Sequence, residues 1–261
     1  MATLTLLQDG LGLASGSLVG FTLGLVGGGG SILAVPLMIY LVGVTDAHVA
    51  IGTSAVAVAA NAAASLATHA RQGTVKWPCA SVFAAAGVVG ALAGSTLGKM
   101  VDGQKLLALF AVLMMVVGAL MLRRRDGTGD AGVRLNRGNL PKLLAVGSGA
   151  GALSGFFGIG GGFLIVPGLL AATGMPILNA VGSSLVAVTA FGLTTAGNYA
   201  ASGKLDWVLA ALFIVGGIAG GLLGSRFARI LAGRRGLLNT VFATLIFAVA
   251  GYMLVRSLGV L

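Results

Sequence analysis

The chain has 261 residues, 57% of them hydrophobic, 8% charged and 45 of them glycine, and 16 Lys and Arg against 6 Asp, with no Glu, leave a formal charge of +10. A soluble domain has about a quarter of its residues charged. With a mean hydropathy of +1.04 this chain lacks the polar surface for one, and it reads as an all-α polytopic membrane protein in contact with a lipid bilayer. The basic residues sit in short segments between apolar runs and form no stripe alternating with aromatics, which excludes nucleic acid as a partner. The single cysteine, Cys79, excludes a disulfide framework and a multi-Cys metal site, and no cofactor or metal is expected. No basic stretch precedes the first apolar run, which argues against a cleaved signal peptide.

Apolar runs fall at 11–42, 47–70, 78–98 and 104–122, and again at 142–173, 178–201, 207–225 and 237–258. Between the two sets lies a polar, basic stretch beginning at Arg123-Arg124-Arg125. It divides the chain into a first membrane repeat (1–122), a cytoplasmic linker (123–141) and a second membrane repeat (142–261). The first run of each set is too long for one crossing. Residues 11–42 as a straight helix would measure roughly 48 Å against a hydrocarbon core of about 30 Å. Four consecutive glycines, Gly27 to Gly30, interrupt it, each costing about 1 kcal/mol in a helix interior. Two short helices joined at the glycines are predicted, and likewise at 158–162.

The halves resemble each other. Gly27-Gly28-Gly29-Gly30-Ser31-Ile32-Leu33-Ala34-Val35-Pro36 aligns with Gly158-Ile159-Gly160-Gly161-Gly162-Phe163-Leu164-Ile165-Val166-Pro167 at an offset of 131. At an offset of 130, Gly52-Thr53-Ser54 matches Gly182-Ser183-Ser184. Gly73 and Trp77 match Gly203 and Trp207, and Gly87, Gly90, Gly94 and Ser95 match Gly217, Gly220, Gly224 and Ser225. Matched Pro, Trp and Gly runs do not arise from apolar composition alone, so an internal duplication is expected. If each long first run is a single crossing, the cations divide ten to six between the two faces; if it is a hairpin, they divide twelve to four. Positive-inside bias favours the hairpin. The halves would then be inverted repeats, with both termini outside the cytoplasm and the linker inside.

Backbone groups freed at a helix break must face protein or a watery cavity. A helix starting near Ser31 or Gly162 presents unpaired N–H groups and a positive dipole end, which together bind anions. Pro36 and Pro167 then tolerate an early turn or kink the second helix. The plainer alternative is that the glycines only allow close packing. A dinucleotide fingerprint at Gly158 and Gly160 is excluded, because no acidic residue follows about twenty positions on.

These paired glycine runs leading to a proline, each followed by Gly-[Thr/Ser]-Ser and a Gly-x-x-x-Trp turn, resemble the sulfite exporter TauE/SafE family over both halves. The resemblance implies transport of a small anion, such as sulfite, sulfoacetate or a related organosulfonate or carboxylate, across the cytoplasmic (inner) membrane. The two motifs differ at Gly28 against Ile159 and Ser31 against Gly162, so their sites need not be equivalent.

Candidate substrate-binding residues are Gly28, Gly29, Gly30, Ser31 and Pro36 in the first motif and Gly160, Gly161, Gly162 and Pro167 in the second. To these are added Thr53, Ser54 and Asn61, with Ser183, Ser184 and Asn198 in the other half. Ser54, Asn61, Ser65 and Thr68 share one helical face, where hydroxyls and amides could donate to sulfite or sulfonate oxygens. The alternative is that such side chains bond their own backbone or a neighbouring helix. His48 and His69 read as interfacial, with a proton-linked role as the alternative because His titrates near neutrality; Trp77 and Trp207 read as interface anchors. Gly90, Gly94 and Gly98, and Gly217 with Gly221 and Gly220 with Gly224, read as packing faces. A membrane-embedded enzyme is disfavoured because the six Asp fall at segment ends or in loops, and no Ser–His pair or metal cluster stands out. The same placement argues against a buried carboxylate for ion coupling. A passive anion channel and a homo-oligomer stay open.

Overall fold

The computed structural model describes residues 6–123, 130, 132–160, 162–230 and 235–257. Gly161, linker residues 124–129 and 131, and both chain ends lie outside them. The described chain is helical: α1 (Leu6–Val26), a 3₁₀ segment (Gly27–Leu33), α2 (Ala34–Pro36), a π turn (Leu37–Leu41), α3 (Ala47–Arg71), α4 (Trp77–Met100) and α5 (Gly103–Arg123) form the first half. The second half holds α6 (Leu140–Phe157), α7 (Gly162–Thr173), α8 (Ile177–Ala200), α9 (Trp207–Ile230) and α10 (Arg235–Ser257). Among the described residues there is no strand, and five helices (α3, α4, α6, α8 and the first 18 residues of α9) are long and apolar enough to cross a membrane. This is the all-α polytopic architecture expected from composition.

Each first run folds back. Val42, beyond the π turn, returns to the start of α1, where Gln8 Nε2 donates to its carbonyl at 3.4 Å. In the second half Asp130 N donates to Gly174 O at 3.0 Å, which brings the end of α7 back to the approach to α6. Both runs are therefore hairpins that return to their starting face.

The second break is built as the glycines predict. Gly158 takes φ 67° and closes α6, its N–H bonding Gly155 O at 3.2 Å while Ile159 N–H bonds Ser154 O at 3.3 Å. That pair of bonds is a Schellman motif. Gly160 is left-handed as well, at φ 64°. The first break also leads into a short apolar helix, Gly30–Leu41, as expected, but an irregular one: the chain passes through 3₁₀ turns, a single α turn ending at Pro36, and then a π turn. Proline removes a backbone donor from the ladder, and the register after it widens, with Val42 N bonding Leu37 O at 3.0 Å, five residues back.

Glycine faces hold the bundle together. α1 lies on α9 and α4 on α6. A Cβ at Gly90, Gly94 or Gly98 would fall on the carbonyls of Ser148, Ala152 and Phe156 of α6; one at Gly216, Gly220 or Gly224 would fall on those of Leu13, Ser17 and Phe21 of α1. These are packing faces that let backbones approach where side chains could not, as the spacing suggested for Gly90, Gly94, Gly98, Gly220 and Gly224. Gly221 is not part of one, a Cβ there meeting Gly20 O only at 3.5 Å, and Gly216 stands in the face instead. α3 and α8 cross at the centre, and α5 pairs with α10.

Candidate functional site

The two hairpin tips meet each other and α8 at the centre of the bundle, where the 3₁₀ segment packs on α7 and α8. The second tip is wedged between α3 and α8. A Cβ on Gly160 would lie 2.7 Å from Val58 Cγ1 and 3.4 Å from Val188 Cγ1. Both valines stand eleven residues into helices that run in from opposite faces, so the tip lies near mid-depth. Gly158 is pressed against Ile51, and its carbonyl accepts from Ser54 Oγ at 3.4 Å. The first-turn N–H groups of α7 have no partners within their own helix and open onto this tip.

In the first hairpin Gly30 folds against the backbone of Thr22 and Leu23. Thr22 Oγ1 bonds the carbonyls of Leu18 and Val19 at 3.0 and 2.9 Å. Ser31 is fully buried in the 3₁₀ segment, with Gly28 and Gly29 preceding it there. Pro36 ends α2 and is buried; Pro167 stands inside α7, after Gly162 at its start.

The structure brings Gly160, Gly162 and Ser54 to one place and sends other candidates elsewhere. Thr53 Oγ1 accepts from Asp206 N at 3.0 Å, and Ser183 Oγ accepts from Lys76 N at 2.9 Å. Each hydroxyl therefore seats the start of a helix from the opposite half (α9 and α4 respectively). Ser184 Oγ bonds Val181 O at 2.7 Å and Ser54 Oγ bonds Ile51 O at 2.9 Å, both within their own helices. Asn198 lies at the far end of α8 in a knot of its own. Its amide donates to Ser95 Oγ and Thr96 Oγ1 at 2.7 and 3.0 Å, and accepts from Lys99 Nζ at 2.8 Å. Along the α3 stripe Ser54 and Asn61 are buried, Ser65 half-buried and Thr68 exposed.

Sequence reasoning missed two groups. Ser15 Oγ on α1 and Ser154 Oγ on α6 are buried without a hydrogen-bond partner. Helical serine normally bonds a carbonyl one turn back, as Ser17 does to Leu13 O at 2.9 Å, so no pattern in the sequence separates these two from the rest.

Charged groups stay at the ends. Asp46, Asp102 and Asp206 accept from backbone N–H groups at the starts of α3, α5 and α9, N-cap contacts worth about 1 kcal/mol each. Asp46 also pairs with Lys204 at 3.9 Å on the exposed surface. His69 Nδ1 meets Thr74 Oγ1 at 2.9 Å in the loop before α4, and the His48 ring lies tilted against Tyr199 with centroids 6.2 Å apart. Trp77 and Trp207 are exposed at helix starts. Among the described residues no group of His, Cys or Asp could hold a metal.

Two re-entrant hairpins thus meet inside a bundle of apolar helices, with polar side chains and, among the described residues, no carboxylate bonded beside them, the architecture of a polytopic membrane protein. The sulfite exporter TauE/SafE family matches residues 12–253, and the chain belongs to that family. A protein of Xylella fastidiosa named "Probable membrane transporter protein" is 54% identical over 246 residues, covering 94% of each chain. The Bacillus subtilis "Probable membrane transporter protein YdhB" is 26% identical over 91% of this chain and 96% of its own. No solved structure matches.

Proposed function

We propose that this membrane transporter carries small sulfur-containing anions (sulfite, sulfoacetate, or a related organosulfonate or carboxylate) across the cytoplasmic membrane. The observation that carries the reading is the Gly158–Gly162 tip, set between Val58 and Val188 with the α7 N-terminus opening onto it. Such a site offers dipoles rather than a fixed cation, which suits an anion that must also leave. Gly29, Gly30 and Ser31 of the facing tip complete the path, with Gly28 and Pro36 shaping the first hairpin and Pro167 the second, while Gly161 lies outside the described residues. Ser54 and Asn61 contribute hydrogen bonds from α3. Thr53, Ser183, Ser184 and Asn198 act from further out by fixing helix positions.

The internal duplication with inverted halves expected from the sequence is part of this reading. The offsets that align the sequence also relate contacts: Gly20 on Gly217 corresponds to Gly151 on Gly87, and Thr53 with Asp206 N to Ser183 with Lys76 N. On hairpin threading Arg71, Lys76, Arg134, Arg137, Lys142 and Arg226 share one face with the linker, which places that face in the cytoplasm.

Uptake into proteoliposomes across a panel of sulfite, sulfoacetate, acetate, chloride and choline tests the function. The sulfur anions are expected to enter and choline to be excluded. Choline uptake without anion uptake would contradict the proposal, and accumulation against a gradient would exclude a passive channel.

A further inference from the structure

The helix face that receives the second tip continues toward the end of α8 that points away from the linker. Val188, which meets Gly160, shares one helical stripe with Thr195 and Tyr199, seven and eleven residues further on. Tyr199 therefore lies about 16 Å beyond the tip along the same face. Its ring is buried between two helices. On the α3 side a Cβ on Gly52 would lie 2.9 Å from Tyr199 Cβ, and the His48 ring is tilted against it. On the α4 side Lys99 Nζ stands over the ring, 5.8 Å from its centroid, close enough for a cation–π attraction. Thr195 and Tyr199 are both 0% exposed. The stripe is sealed at this end.

Lys99 ties the seal down. An ammonium has three donors, and all three go to the end of α8 and the turn after it: Asn198 O at 3.0 Å, Asn198 Oδ1 at 2.8 Å and Ser202 Oγ at 2.8 Å. The Asn198 amide returns the link to Ser95 and Thr96 of α4. Polar contacts at a partly exposed rim exchange with water at small net cost, so this fastening can be released where a packed apolar seam could not.

The matching stripe in the other half is not sealed. It runs from Val58 of α3 toward the linker face, through the positions 130 earlier in the chain. On α8 Phe191, Gly192, Thr195, Ala196 and Tyr199 are all buried. Of their counterparts on α3, Asn61 and Ala62 are buried, but Ser65, Leu66 and His69 are partly exposed. One route from the tips is shut and its counterpart is open, which is what alternating access requires of a single conformation.

We infer that Tyr199 is the outer gate of the anion route and Lys99 the latch that holds it shut, the structure being the form open toward the linker face. This rests on the transport reading above and on its inverted halves. Release of Lys99 from Asn198 and Ser202 frees Tyr199 to leave the space between α3 and α4. The stripe then opens outward, and the α3 stripe closes in its turn.

Thiol accessibility tests this, with Thr195→Cys behind the outer gate and Ser65→Cys on the inner route, each in a Cys79→Ala background. A membrane-impermeant anionic thiosulfonate is applied to right-side-out vesicles for the first and to inside-out vesicles for the second. Anion uptake by the wild type, on the panel above, is measured in parallel. With Lys99 in place, the thiol at 195 is expected to react at least tenfold more slowly than the thiol at 65. Lys99→Met keeps the stem and removes the donors. It should raise the rate at 195 at least tenfold and lower the rate at 65 by a similar factor. The opposed signs separate a gate from loosened packing, which raises both rates. Both rates rising, or neither changing, overturns the inference. Should Lys99→Met fail to fold, Asn198→Ala removes the seat instead of the cation and must give the same opposed changes. Failure of both to fold makes the knot structural and overturns the gate as well. Anion uptake by the wild type without the opposed changes overturns the gate and leaves the transport reading intact. Wild type that carries no anion removes both.

Discussion

Replacing Gly160 by valine is expected to abolish anion uptake and to cost about 2–5 kcal/mol of stability. Two physical terms set that figure. A left-handed backbone costs an L-residue about 1–2 kcal/mol, and Gly160 holds φ 64°. Forcing extra methyl groups into a packed site costs about 1–3 kcal/mol more, and here the first of them lands 2.7 Å from Val58 Cγ1. Gly160→Ala meets the same φ with less bulk and should fold well enough to assay. Its uptake is expected to fall at least tenfold, because the tip must shift from Val58 to admit the methyl. Wild-type uptake by the alanine variant would show that the tip does not shape the path.

Gly94→Ala is the second large effect, and it falls on stability. Its methyl would be driven onto the backbone of Ala152, which cannot rotate aside as a side chain can. Overpacking of about 1–3 kcal/mol corresponds to a melting temperature lower by about 2–12 °C in a chain of roughly this size. Anion affinity in the folded fraction should be unchanged, since Ala152, which Gly94 meets, stands about 9 Å back along α6 from the Gly158 tip. Gly197 is the matched control. It is helical and exposed, a Cβ there meets nothing within 4 Å, and Gly197→Ala should stabilise by about 0.5–1 kcal/mol. Equal melting temperatures for the two variants would contradict the packing account.

Much of the fold was legible because it depends on composition and local backbone chemistry. The hairpins follow from run length and four glycines, and the break at Gly158–Gly162 follows from residues that tolerate positive φ. The packing faces follow from glycine spacing. The first break was not legible in form: Gly27 to Gly30 predict an interruption, but whether the chain then restarts as an α-helix depends on how Gly30 packs against Thr22 and Leu23.

The candidate site was legible only in part, for a similar reason. A serine or threonine hydroxyl has the same sequence signature whether it meets a substrate or a loop. Thr53 and Ser183 are occupied by Asp206 N and Lys76 N, 153 and 107 residues away. Asn198 is drawn into its knot by Lys99, 99 residues away. Ser15 and Ser154 stand out only once burial and the absence of a partner are known together, which no local pattern encodes.

The central claim is that the anion passes the hairpin tips beside α3. Ser54→Cys in a Cys79→Ala background puts one nearly isosteric thiol at that point, next to the Gly158 carbonyl. The measurement is its rate of modification by a membrane-impermeant anionic thiosulfonate during transport, with and without a saturating transported anion. The account predicts that the thiol reacts and that the anion slows the reaction at least tenfold. A thiol that never reacts while uptake proceeds, or that reacts at the same rate with the anion present, would place the path elsewhere.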